Sequence, residues 1–392
     1  MPRSRRASTR PGRRGASDGR TRVAMVINDL GAGGAQRAML EQARALDPAR
    51  FEVEIASLEF KPAADWAGRR AGAVALHRPG PLGLVPYLRA FHPHIVHAHL
   101  AAASLAAVLA ARAAGRPRVM ATCHNLTDWE EKRAHPVRIL ARGLMRDCHA
   151  LVAVSEAVRD AIVRVRPELE DRVTVIHNGA DLDPFAPQRL DRAGARARLG
   201  YAAGDFVAGS VARLDPRKGL TTLLEAAGRA AGELPGLRVL IVGDGPERGR
   251  LESRARVLGL EARVKFVGEQ TDVRPFLAAL DLFVAPSRTE GMGVAIVEAL
   301  AAGVPVAGAR VGGIPEVLEH GSAGWLIDGD DPAIWARAMV RAAVLPDYRE
   351  RFIRAGLRRA RDFSIDPVRL RLESVYERLA GGETKIELER AA

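Results

Sequence analysis

Short apolar runs recur along almost the whole chain, each giving way to a stretch with helical spacing. This alternation constrains the fold more than any other feature. The first run is RVAMVIND (22–29), and LGAGGAQRAMLEQARAL follows it as a glycine turn opening a helical pattern. FEVEIASL, HIVHAHL, RVMATCH, ALVAVS and RVTVIHNG continue the series. DLDPFAPQRLDRAG (181–194) then brings prolines and aspartates without a core pattern, which marks a linker. The alternation restarts at DFVAGSVARLD (205–215) and runs through RVLIVGDGP, ARVKFVGE, DLFVAPS, VPVAGA and AGWLID. Runs apolar on both faces, alternating with helices, argue for parallel sheets covered on both sides. At 392 residues the chain is long enough for two such units. The expected fold is α/β, two Rossmann-like doubly wound domains facing a cleft, because such domains bind ligands at the carboxyl ends of their strands. The expected boundaries are a basic tail at 1–20, a first domain at 21–190, a second at 191–365, and a final helix and tail at 366–392. The pattern of the last helix fits packing on either domain.

The net charge of +12 suggests a nucleic-acid partner until it is located. Residues 1–22 hold eight arginines and one aspartate, so more than half of the excess sits in this one segment. The segment has no apolar periodicity and is rich in Arg, Ser, Gly and Pro, the composition of a disordered arm. A solvated arm is the first reading, and adhesion to an anionic membrane or nucleic acid is the alternative. No apolar stretch follows the early Arg-Arg pair, so an export signal is not expected. The longest apolar run, from Leu100 to Ala111, is too short to span a bilayer. Cys123 and Cys148 form neither a C-x-x-C pair nor a framework, which fits a reducing cytoplasm. The expected location is cytoplasmic, with peripheral contact at the inner face of the membrane as a second option.

TEGMGVAIVEALAAG (289–303) sets two acids, Glu290 and Glu298, among small and apolar residues. RTEGMG is too rich in glycine for a helix interior, so Glu290 is expected on a loop. A helix from about Gly293 to Ala302 should follow, with Gly303 as its C-cap. That helix is apolar nearly all round, which buries Glu298, and a buried carboxylate needs a partner. The amides of Gly291, Met292, Gly293 and Val294 would form a positive pole suited to phosphate oxygens. Gly33 and Gly34, lacking side chains, would let the first loop approach a diphosphate closely, or would simply form a tight turn. Alternation places His97 and His99 on one face of a strand, yet no acid or thiol completes a ligand set, and no metal is expected. His124 ends a further strand.

These stretches, taken in order, resemble the retaining, GT-B-fold glycosyltransferases of family 4. GAGGAQR, HAHL, ATCHN, VAVSEAV, VIHNGAD, GSVARLDPRKGL, LIVGDGPER, VKFVGE, the Glu-x7-Glu stretch and GGIPEVLEHGSAGWL carry the resemblance over nearly the whole chain. It implies that Glu298 holds the ribose hydroxyls of a nucleotide and that Glu290 faces the donor sugar. It implies that Arg213 and Lys218 clamp the diphosphate and that His124 reaches the sugar near the reacting carbon. Glu290 and His124 are then the catalytic candidates. Glu298 would have ligand hydroxyls as partners, leaving the protein by itself with a nearly buried, poorly paired carboxylate; an internal salt bridge to an arginine is the alternative. Glu316 is expected to be structural, and GDGPER to line the cleft.

The implied activity is sugar transfer from a nucleotide diphosphate to an acceptor hydroxyl by a front-face, retaining route. Cell-envelope, exopolysaccharide or glycolipid biosynthesis is the expected setting. A nucleotide-sugar epimerase of the same fold and a non-catalytic binding protein are the alternatives. No cofactor is expected beyond the UDP- or GDP-linked sugar itself. The expected partners are that donor and a carbohydrate or lipid-linked acceptor read by loops such as 126–138, with membrane contact left open and no nucleic acid.

Overall fold

The computed structural model describes residues 19–31, 33–59, 72–130 and 136–383. Most of the basic tail, the last residues of the chain and part of the 126–138 loop lie outside the described residues.

The first sheet holds β1 (Thr21–Ile27), β2 (Phe51–Ser57), β3 (Ala75–His77), β4 (Ile95–His99), β5 (Arg118–Cys123), β6 (Ala150–Ala153) and β7 (Val173–Val175). Its order is β3-β2-β1-β4-β5-β6-β7, and every pairing is parallel. The second sheet holds β8 (Phe206–Val211), β9 (Leu237–Val242), β10 (Val264–Phe266), β11 (Leu282–Ala285), β12 (Val306–Ala309) and β13 (Trp325–Ile327), in the order β10-β9-β8-β11-β12-β13. This sheet too is parallel throughout. Both match the doubly wound expectation. The order reverses beside β1 in one sheet and beside β8 in the other, and each reversal opens a crevice at the strands' carboxyl ends. Continuous burial along β4, β6, β11 and β12 explains why their sequences do not alternate. Edge strand β3, three residues long with none buried, has no apolar run to announce it.

The helix Ile365–Ala380 returns to the first domain. Val368, Leu372, Val375, Tyr376 and Leu379 pack with Val23 and Met25 of β1 and with Met39 of the helix Gly34–Ala45. Its buried Glu373 accepts a hydrogen bond from the Asp47 amide at 3.0 Å and pairs with Arg50 at 2.8 Å and Arg369 at 3.0 Å. Amphipathic spacing shows that a helix has an apolar face but carries no address, which is why the sequence left both domains open.

The two domains meet through packed side chains. One buried cluster runs from Leu126 and Val154 in the first domain to Met292 and Ile296 in the second. Ser155 Oγ donates to the Gly291 carbonyl at 2.7 Å. Glu316 is structural as expected, since its carboxylate accepts from the Glu156 amide at 2.9 Å and also meets His177 of the first domain.

Candidate donor-sugar site

Two adjoining cavities of about 190 Å³ each lie between the sheets, at the carboxyl ends of their strands. Arg213 and Gly34 border both, which places Arg213 where the two cavities adjoin. The first cavity is closed by Gly33, Arg37, Asp244 and Glu298, together with residues 269–271. The second is closed by His124, Asn178, Lys218, Glu290, Met292 and Gly293. Gly243 and Asp244 of the GDGPER turn border the first cavity, as the sequence suggested.

Lys218 is fixed by a loop that leaves β8 and turns tightly over Pro216–Lys218. Asp215 caps this turn by accepting from the Arg217 amide at 2.9 Å, and it pairs with the Arg217 side chain at 2.8 Å. Burial alone would raise the Asp215 carboxyl, but the Arg217 contacts outweigh it and hold the group below the usual carboxylate range. Gly219 then takes φ 63°, and a Cβ there would lie 1.9 Å from the Pro286 carbonyl oxygen. Only glycine fits that approach. The Lys218 ammonium, held in this way, pairs with the Glu290 carboxylate. The Arg213 side chain makes no hydrogen bond or ion pair with another of the described residues, while its carbonyl accepts from the Asp215 amide at 2.9 Å.

Beyond β11 the chain reaches the helix Val294–Ala301, entered through Gly293 at φ 95°. Met292, Gly293 and Val294 border the second cavity, but Gly291 borders neither. A Cβ on Gly291 would stand 1.9 Å from the His124 carbonyl oxygen, so this glycine serves close contact between the domains. Nothing lies within 4 Å of where a Gly34 Cβ would sit, which keeps that wall of the cleft open.

Glu298 is 2% exposed, as its helix pattern demands. The expectation of a poorly paired carboxylate is corrected: Glu298 pairs with Arg37, which projects from the helix Gly34–Ala45 of the facing domain. Leaving a carboxylate this buried without a counter-charge is costly, and the facing domain supplies one.

His124 is nearly buried beside the second cavity. Its Nε2 shares a hydrogen bond with His99 Nδ1 at 3.0 Å, and the His99 and His97 rings lie 4.2 Å apart. His97 is held between the Tyr376 hydroxyl at 2.6 Å and the Thr122 hydroxyl at 2.7 Å. Burial pushes His97 down to about 3 and His124 to about 4, and takes His99 well below its usual range. All three are therefore neutral at pH 7. His124 Nδ1 is buried without a hydrogen-bond partner among the described residues.

The sequence did not single out Arg37, Asn178 or residues 269–271. Arg37 stood within GAGGAQR, three residues past a glycine placed in the first turn, which is the signal that could have found it.

Residues 191–359 match the family model for Glycosyl transferases group 1, and residues 32–184 match that for Glycosyltransferase Family 4. The D-inositol 3-phosphate glycosyltransferase of Mycobacterium tuberculosis is 38% identical over 230 residues, covering 56% of this chain and 46% of that protein. The chain thus spans about half the length of the curated relatives it matches. Among solved structures, Anabaena HepE in complex with UDP and glucose aligns with a TM-score of 0.81 at 22% identity, covering 91% of this chain and 99% of that one. Sucrose-phosphate synthase from Thermosynechococcus elongatus aligns at 0.76 and 22%, covering 92% and 100%. Two family models matched in order, over two facing doubly wound sheets, place the chain: it belongs to the GT-B-fold glycosyltransferases of family 4.

Proposed function

We propose that the chain transfers a sugar from a nucleoside diphosphate, UDP in the first instance, to an acceptor hydroxyl with retained anomeric configuration. The observation that carries this is the position of Arg213 at the junction of two cavities, with Glu298 in one and the Lys218–Glu290 pair in the other. A nucleoside fits the first cavity with its ribose hydroxyls at Glu298. The diphosphate lies at Arg213 and Lys218, and the sugar occupies the second cavity against Glu290 and His124. Neutral His124, with Nδ1 unpartnered, is suited to a sugar hydroxyl. The choice of UDP is supported by HepE, solved with UDP and glucose. A carbohydrate or lipid-linked acceptor, in envelope glycan synthesis, is the proposed second substrate.

In the reaction the bond from the anomeric carbon to the phosphate oxygen breaks and a bond to the acceptor oxygen forms. The acceptor proton passes to the leaving phosphate oxygen. Entry and departure on one face retain the configuration. Glu290 is the sole acid among the described residues bordering the second cavity, and it is paired with the lysine assigned to the phosphate. It is therefore assigned to the sugar hydroxyls and not to attack from the far face. Arg213 and Lys218 stabilise the charge that develops on the leaving diphosphate. No resident metal or cofactor is part of the proposal.

The test is calorimetric titration with UDP and GDP, followed by turnover assays with UDP-sugars and NMR of the product anomer. Glu298→Gln should weaken UDP binding by about 1.5–3 kcal/mol, the size of a hydrogen bond to a charged group. Unchanged UDP affinity in that variant, or an inverted product, would refute the assignment.

A further inference from the structure

We propose that Arg37 is a third cation of the diphosphate site, delivered by the facing domain, and that its bond to Glu298 couples ribose recognition to phosphate recognition. This rests on the cleft being a nucleoside-diphosphate site, as argued above. Arg37 lies in the first turn of the helix Gly34–Ala45, borders the cavity that also holds Arg213, and reaches Glu298 across the domain gap. Its side chain is 22% exposed against 3% for Glu298, so the acid is fixed and the arginine is the partner with room to move.

Two kinds of ligand group would divide this pair. Ribose hydroxyls are neutral donors that compete for the Glu298 oxygens without cancelling the charge. A phosphate is an anion that competes for Arg37, and the planar guanidinium fork suits it in the same two-pronged way as a carboxylate. A nucleoside alone must take Glu298 from Arg37 and offers the arginine nothing. A nucleoside diphosphate gives the arginine an anion beside the one it leaves. Arg37 and Arg213 would then grip the same phosphates from opposite domains, so the diphosphate draws the two sheets together. Glu298 and Arg37 thereby form an exchange that only a complete nucleoside diphosphate completes.

The experiment compares uridine, UMP and UDP binding by calorimetry, at one salt concentration, in the wild type, Arg37→Met and Arg37→Lys. Arg37→Met should bind UDP about 10- to 100-fold more weakly, within the usual span of coupling between sites. It should bind uridine as tightly as the wild type or more tightly, because Arg37 no longer competes for the Glu298 oxygens. Arg37→Lys should recover part of the UDP affinity, as a point charge replacing a fork. Equal weakening of uridine and UDP in Arg37→Met would reduce Arg37 to a counter-ion of Glu298 and overturn the proposal. Unchanged UDP affinity would overturn it as well. Should Arg37→Met not fold, the pair Arg37→Met with Glu298→Gln removes the uncompensated charge; it is compared with Glu298→Gln alone, and equal UDP affinities in the two overturn the proposal. A wild-type chain that binds neither UDP nor GDP refutes the donor site itself.

Discussion

Lys218 owes its position to residues that border neither cavity. Gly219 holds φ 63° with the Pro286 carbonyl oxygen where a Cβ would sit, and Asp215 caps the turn before it. In Gly219→Ala, backbone strain of about 1–3 kcal/mol adds to a direct clash, and the loop must shift to relieve both. The expected result is a loss of kcat/KM on the order of 10², as for removal of a preorganised charge, with helical circular dichroism retained. The buried histidines make a different prediction. Their folded pKa values, about 3 for His97 and about 4 for His124, lie below the ordinary value of about 6.5. Below about pH 6.5 the unfolded chain takes up these protons and the folded chain does not. Stability is therefore full above that pH and drains as pH falls toward 4. Scanning calorimetry should show Tm falling through this window, with a shallower slope in His97→Phe than in the wild type.

The helix Ile365–Ala380 carries its own test. Tyr376 is buried and bonded to His97, so Tyr376→Phe removes one buried hydrogen bond and leaves an imidazole nitrogen unsatisfied. A loss of about 1–3 kcal/mol should appear as a lower denaturation midpoint with little change in nucleotide affinity. This helix also shows where sequence reasoning stops. The interior strands announced themselves because burial on both faces writes an unbroken apolar run, and Glu298 announced its burial through its helix neighbours. The destination of the last helix was unreadable because an apolar stripe fits either domain. β3 was missed because an edge strand of three residues buries too little to leave a pattern. A salt bridge from Glu298 to an arginine was the stated alternative, but Arg37 was not named for a related reason: the pair joins positions 261 residues apart, and only the facing of the two domains brings them together.

At the scale of the whole molecule, charge is divided unevenly between an arginine-rich end and a nearly balanced body. Arg20 already belongs to the body, since it lies 3.7 Å from Glu52, so a truncation should stop before it. Deleting residues 1–18 should leave turnover on a soluble acceptor within about twofold, because that composition cannot bury a core. Chelation with EDTA should leave turnover unchanged if Arg213 and Lys218, aided by Arg37, meet the diphosphate charge, and activity assays before and after dialysis decide it. The return of the final helix to the first sheet carries a consequence for biosynthesis. A ribosome releases the chain from its amino end, yet the groove beside β1 receives Val375, Tyr376 and Leu379 only after every strand of the second domain has been made. The second domain, whose strands all lie between residues 206 and 327, holds its sheet without that helix. The domain made first is thus completed after the domain made second, and until residues 365–380 emerge its apolar groove stands open to whatever chaperone attends the nascent chain.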